Sequence, residues 1–339
     1  MKKLLISALA LFSLIPTQAS AEENSAEALL LQMNQASQQL NYELSYMLIK
    51  KNSIEPLVYR HARVDDAHLA HLVYLSGPVR EVIRRGEEIS YIEPGVEPFS
   101  IRSGEMIAPL IPLLESDIRQ LKTYYDFVLM GRAREAGSAS QVVRIVPKDG
   151  TRYSYMLWVD EKSALPLRAD LVDRDGEVLE QFRTVSYSVN DKIAGVMEHL
   201  NDVTLPKVIT LPQSKTEASF WQVGWVPDGF QPRHLHRYKM MKVDKLVESQ
   251  MFSDGLFNFS VYVSDSGDES ELSGQLVRQG RRTLQTYVKG NKEITVVGDI
   301  PPETAKRIAL SVVFNAGAAG KNALPSGDKA IPQSKETQP

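Results

Sequence analysis

The sequence of 339 residues contains no cysteine. That absence removes disulfides, thiolate metal sites, cysteine nucleophiles, cysteine-ligated iron–sulfur clusters and lipid anchors on cysteine. A dominant charge sign is lacking too: 39 Lys and Arg stand against 42 Asp and Glu, a formal net charge of −3. The balance is uneven along the chain. Residues 22–213 hold 21 basic and 28 acidic side chains, whereas residues 214–316 hold 13 and 12. A large acidic part does not gather nucleic acid or anionic lipid by long-range attraction, so no nucleic-acid partner is expected. Catalytic patterns are scarce as well. There is no Gly-x-Ser-x-Gly elbow and no His-Glu-x-x-His. Gly317-Ala-Ala-Gly-Lys321 lacks the first glycine of a phosphate loop. Asp173-Arg-Asp-Gly176 has its glycine two positions too early for a calcium loop, and position twelve falls on Thr184, so a hairpin turn explains it better. Neither an enzyme nor a cofactor site is read from the residues.

What is present begins with an address. Lys2 and Lys3 precede the apolar run Leu4 to Ile15, and Ala19-Ser20-Ala21 has the form of a cleavage site. The run is shorter than the ~20 residues a spanning helix needs, so residues 1–21 are expected to be a secretory signal peptide and the rest periplasmic. At 43% apolar and 24% charged the chain is an ordinary globular one, long enough for about two domains at about 150 residues each.

Asn24 with Glu27 suggests a capping box, and Ala26, Leu29, Leu30, Met33, Ala36 and Leu40 follow helical spacing. From Tyr42 the period becomes two. Strands are expected at Tyr42–Leu48, Leu57–Val64, Val79–Arg84, Ile89–Ile92, Glu97–Ile101, Phe127–Met130, Gln141–Val146, Tyr153–Val159, Leu167–Val172 and Val178–Val189. Pro94-Gly95, Asp149-Gly150 and Asp175-Gly176 supply turns. Strands without interleaved helices predict a curved or closed antiparallel sheet over residues 22–198. The apolar stretch Met106 to Leu121 interrupts it, helical in spacing from Pro112 onward; it reads either as a plug at one end of the sheet or as a mobile lid on a cavity. Residues 199–216 read as a linker. A small α+β domain is expected over 217–316, with strands at Val247–Phe252, Leu256–Val263, Thr283–Val288 and Glu293–Val297 and a helix after Pro301-Pro302. Residues 317–339 read as a loose tail.

Four groups of side chains carry separate readings. His68 and His71 would share a helical face near Asp65 and Asp66, but no second ligand pair is evident and a solvated polar face is the simpler reading. His234 and His236 form a second histidine pair, of a kind that usually lies on a strand surface. The large domain is rich in aromatics: Tyr42, Tyr46, Tyr91, Phe99, Tyr124, Tyr125, Phe127, Tyr153, Tyr155 and Trp158. They read as core or as the lining of an apolar ligand cavity. Arg278, Arg281 and Arg282 in the small domain read as a solvated strand edge or as forks for a partner's carboxylates.

A resemblance weighs these alternatives. Asn41-Tyr-Glu-Leu-Ser, Tyr59-Arg-His-Ala-Arg63, Glu88-Ile-Ser-Tyr-Ile-Glu-Pro-Gly95, Asp149-Gly-Thr-Arg-Tyr-Ser-Tyr155 and Trp158-Val-Asp160 resemble the periplasmic sigma-E regulatory family (RseB/MucB). So do Leu171-Val-Asp-Arg-Asp-Gly-Glu177, Ser253-Asp-Gly-Leu-Phe257, Gly280-Arg-Arg-Thr283 and Ile294-Thr-Val-Val-Gly298. The resemblance implies an unclosed antiparallel half-barrel with a helical lid, similar to lipoprotein carriers, plus the smaller α+β domain. It implies a negative regulator, not an enzyme. Such a regulator binds the periplasmic domain of a membrane-spanning anti-sigma factor, shields it from the first protease of an envelope-stress cascade, and is released by lipid, lipopolysaccharide or lipoprotein signals. It favours the lid over the plug, with Tyr42, Tyr46, Tyr91, Phe99, Leu110, Leu113, Leu114 and Trp158 as cavity candidates. Arg278, Arg281, Arg282, Trp225 and Phe230 become partner-binding candidates, and a homo-oligomer is a further expectation. A carrier of lipid or lipoprotein between membranes is the competing reading; the extra domain and the missing anchoring cysteine favour the regulator.

Overall fold

The computed structural model describes residues 25–64, 67–104, 106–209, 219–240, 245–266 and 274–315. The expected signal peptide, most of the second half of the linker and the tail lie outside them, as do Asn24 and the side chain of His234. The first helix, α1 (Ala26–Gln39), is capped by Ser25, whose hydroxyl accepts the amide of Ala28. Ser25, not Asn24, therefore starts the helix. Leu30, Met33, Asn34 and Ser37 form its buried face.

The strands β1 (Tyr42–Lys50), β2 (Ser53–Val64), β3 (Ala67–Tyr74), β4 (Glu81–Arg85), β5 (Glu88–Ile92) and β6 (Phe99–Arg102) follow α1. Two short helices, α2 (Ile111–Glu115) and α3 (Ile118–Leu121), come next. The strands resume with β7 (Tyr125–Glu135), β8 (Ser138–Pro147), β9 (Ser154–Asp160), β10 (Pro166–Val172) and β11 (Val178–Val189). All eleven form one antiparallel sheet in the order β6-β5-β4-β3-β2-β1-β11-β10-β9-β8-β7. The first and last strands thus meet in the middle, Tyr42 opposite Val189, while β6 and β7 are its two edges. The sheet is unclosed, and the segment from β6 to β7 straps one edge to the other across the concave face. Alternation on β1 sends Tyr42, Leu44, Tyr46 and Leu48 to that face, each at most 2% exposed.

β3 was not expected. It turns the His68/His71 pair from a helical face into a strand, where residues three apart face opposite sides. His68 meets His61 and Arg63, and His71 meets Glu81 at 2.7 Å. The Asp173 turn is a hairpin: its Oδ1 accepts the amides of Asp175 and Glu177 between β10 and β11.

The stretch expected to be a linker begins as structure. The helix α4 (Lys192–Met197) and a 3-10 turn (Glu198–Asn201) pack Ile193, Met197 and Leu200 on the convex face against Ala62, Leu69 and Ile83. Residues 206–209 then cover the β6 edge: Ser100 donates its amide to Lys207 O at 3.0 Å and accepts from Ile209 N at 2.8 Å. One edge of the sheet is thereby protected by its own chain.

The small domain holds β12 (Trp221–Val223), β13 (Gln231–Met240), β14 (Lys245–Ser253), β15 (Asn258–Asp265), β16 (Leu276–Gln279), β17 (Arg282–Lys289), β18 (Lys292–Gly298), α5 (Pro302–Ser311) and β19 (Val312–Phe314). Six strands pair in the order β13-β14-β15-β18-β17-β16, and β12 pairs with β19. Phe259, Val261 and Val263 of β15 and Ile294 and Val296 of β18 face Ala305, Ile308 and Ala309 of α5 in a core that is at most 1% exposed.

Candidate functional site

The strap across the concave face is the candidate site. Pro109 and Pro112 prevent a regular helical entry, and Leu110 between them takes the left-handed conformation at φ 73°. Ile111, Leu113 and Leu114 of α2 and Ile118 and Leu121 of α3 are all at most 3% exposed, pressed onto the aromatic wall. Polar contacts pin the strap and cap its second helix. Ile107 N donates to the Tyr91 hydroxyl at 3.0 Å. The amide of Asn34 in α1 donates to Leu113 O and Leu114 O, satisfying carbonyls at the end of α2. Glu115 pairs with Arg84 of β4 at 2.7 Å, and Asp117 caps α3 through Arg119 N and Gln120 N. Beneath Leu110 and Leu113 only about 20 Å³ stays empty, bounded by Leu48, Tyr155, Ala169, Leu171 and Phe182. That is room for about one water and too little for an acyl chain. In this state the lid is also the plug.

The same void is closed on its far side by Arg281, which comes from the small domain. Arg281 reaches Asp299 at 3.0 Å and Glu180 of β11 at 3.7 Å. Burial pushes the Tyr155 hydroxyl beside it up to about 12. Arg278 reaches Asp173 at 3.3 Å. A second contact is drier. Arg152 and Asp254, both with fully buried side chains, pair at 2.9 Å across the two domains, and the Tyr125 hydroxyl donates to the same Asp254 oxygen at 2.5 Å. Asp254 Oδ1 accepts the amides of Leu256 and Phe257, which sets Phe257 flat against Tyr155 at 5.5 Å. Burial alone would lower the pKa of Arg152; Tyr125, Asp254 and Asp149 outweigh it and hold it above its ordinary value. Gly229 (φ 92°) completes the junction: a Cβ there would sit 2.6 Å from the Tyr124 ring.

Residues 25–209 match the MucB/RseB N-terminal domain and residues 215–313 the MucB/RseB C-terminal domain. The chain belongs to the MucB/RseB family. Its relatives include the sigma-E factor regulatory protein RseB of Escherichia coli (strain K12), 47% identical over 290 residues that cover 85% of this chain and 91% of that one. RseB of Haemophilus influenzae is 38% identical over 320 residues, 93% of this chain and all of the relative. Among solved structures, the complex of Pseudomonas aeruginosa MucA and MucB aligns at a TM-score of 0.68 and 22% identity, covering 86% of this chain and 99% of that one. This last likeness speaks for the fold.

Within this family fold the two groups of candidate residues are not separate. Tyr42, Tyr46, Leu113 and Leu114 are buried on the concave side, with Tyr91, Phe99 and Leu110 toward its rim, Tyr91 and Phe99 stacked at 5.4 Å. Trp158 is placed elsewhere: Tyr155, Leu157 and Val159 of β9 point inward, so Trp158 points outward, beneath the Arg168 guanidinium at 4.1 Å. Of the small-domain candidates, Arg278 and Arg281 hold the domains together, and Phe230 is 3% exposed against Phe259 at 5.0 Å. Arg282 is exposed, and Trp225 is half-buried under Arg307 at 3.7 Å. Sequence reasoning missed Asn34, Arg152, Asp254 and Phe257. The available signal was an arginine just ahead of the aromatics in Arg152-Tyr-Ser-Tyr155 and a carboxylate in the Ser253–Phe257 run.

Proposed function

We propose that this protein is a periplasmic regulator of a sigma-E-type envelope response. It binds the periplasmic domain of a membrane-spanning anti-sigma factor, shields it from the initiating protease, and lets go when an apolar ligand enters the concave face of the large domain. Family membership supports the first half. One observation carries the second: the lid residues Leu110 and Leu113 and the small-domain residue Arg281 wall the same void. An acyl chain entering there displaces the lid and removes the surface against which Arg281 is seated. A ligand shifts such an equilibrium only by its differential affinity for the two states, and this geometry supplies the difference. Arg282, exposed next to Arg281, and the half-buried Trp225 are the side chains through which the partner is engaged.

The test is cleavage of the anti-sigma periplasmic domain by its site-one protease with and without this protein. Protection is expected, and added lipopolysaccharide or lipid should abolish it. Cleavage at the same rate in the presence of the protein would end this reading.

A further inference from the structure

At the other end of α2 lies a second recess, of about 210 Å³, formed on the concave face by Ser37, Tyr59, His61, His68 and Arg84 and roofed by the lid's Glu115. Its two imidazoles have their protons assigned by their neighbours. His61 Nδ1 lies 2.9 Å from Leu40 O and so donates; its Nε2 is an acceptor, 3.5 Å from His68 Nδ1. His68 Nε2 in turn accepts from Arg63 at 2.6 Å. Both rings are neutral, and burial holds His61 down at about 4. Burial lowers His68 as well, reinforced by Arg63 and Arg84 and opposed by Glu87. The Ser37 hydroxyl, on a residue only 4% exposed, has no hydrogen-bond partner among the described residues. Arg84 donates from Nε to Gly86 O at 3.1 Å and from its terminal nitrogen to Glu115 at 2.7 Å.

The recess thus joins a guanidinium, two hydroxyls and two imidazoles that become donors on protonation, with one carboxylate lent by the lid. Arginine and hydroxyl donors around a small space suit a tetrahedral oxyanion. We propose that this recess binds a phosphate-type oxyanion and that Glu115 is its internal competitor, so that anion binding and lid closure exclude one another. The proposal rests on the reading of the lid as the ligand-responsive element. It adds a polar trigger at the end of α2 remote from Arg281. An anion favours the charged imidazoles, so binding takes up protons and tightens as pH falls. The groups facing the histidines are Arg63, Arg84, Glu87, Glu115 and the rings of Tyr42 and Tyr59.

Calorimetric titration of the full chain with inorganic phosphate at pH 6 and pH 7.5 tests this. Glu115→Gln removes the competitor and should bind about five- to tenfold more tightly than the parent. Arg84→Gln should lose saturable binding, and Ser37→Ala should weaken it. A merely structural Arg84–Glu115 pair would leave Glu115→Gln no tighter, and this result overturns the proposal, as does the absence of saturable binding in both parent and Glu115→Gln. A second arm compares phosphatidylcholine vesicles with and without phosphatidic acid. A preference for phosphatidic acid that Arg84→Gln abolishes assigns the site to a lipid headgroup; phosphate binding without that preference assigns it to the free anion. Neither arm reads protection of the anti-sigma factor, so a failed cleavage assay beside intact phosphate binding counts against the regulatory reading alone.

Discussion

A single buried ring shows how local environment becomes a property of the protein. His61 is held neutral by burial, and its pKa near 4 lies below the roughly 6.5 of an exposed histidine. Between those values the unfolded chain binds the proton and the folded chain does not. Stability is therefore lost as pH falls from 6.5 toward 4, by about 3 kcal/mol in total. His61→Asn, which can still donate to Leu40 O, should flatten this part of a Tm-against-pH profile. An unchanged slope would mean that other groups set it. Asp254 is a second single-residue test. Asp254→Ala leaves the buried Arg152 with Asp149 as its remaining carboxylate, at 3.1 Å, and should cost about 3 kcal/mol in a denaturant titration. Arg282→Glu, on an exposed side chain, should leave stability within about 0.5 kcal/mol and weaken binding of the anti-sigma fragment. The arginines also mark a limit of sequence reading. Residue type left Arg278 and Arg281 either a solvated strand edge or forks for a partner's carboxylates; it did not announce that Asp173, Glu180 and Asp299 of the same chain would pair with them.

At the scale of elements, the lid stands on few hydrogen bonds and much apolar contact. Asn34→Ala leaves the carbonyls of Leu113 and Leu114 without their donor, at a cost of about 1–3 kcal/mol. Because that cost falls on the closed lid, amide exchange over residues 106–121 should accelerate while the strands of the sheet keep their protection. Uniform acceleration across the domain would contradict an independently opening lid. The strands that the sequence displayed were those with one buried face, such as β1 and β15, where alternation is strict. β3 was hidden because His68-Leu-Ala-His71-Leu interleaves polar and apolar residues at helical spacing. β13 opens with Pro232 among basic residues, and β16 is exposed at all four positions, so neither carries a periodic signal. The lid's existence was legible from its prolines and apolar run. Its filling of the concave face was not, because that depends on how tightly eleven strands curve.

The whole molecule behaves as two bodies fastened by a dry ion pair at one point and by partly exposed ones at another. Replacing both Arg278 and Arg281 with Ala should loosen the second fastening while Arg152 and Asp254 keep the first. Small-angle scattering should then report a larger radius of gyration with each domain's unfolding midpoint little changed. An unaltered scattering curve would place the hinge elsewhere. The pairing of the first strand with the last has a consequence in time. An exported chain emerges with β1 first, and more than a hundred residues separate the end of β1 from the start of β11. The early half of the sheet can assemble by neighbouring hairpins, yet through that interval its central strand is an open edge rich in tyrosine and leucine. The strand that ends up at the centre of the sheet is the one most in need of an escort until its last partner arrives.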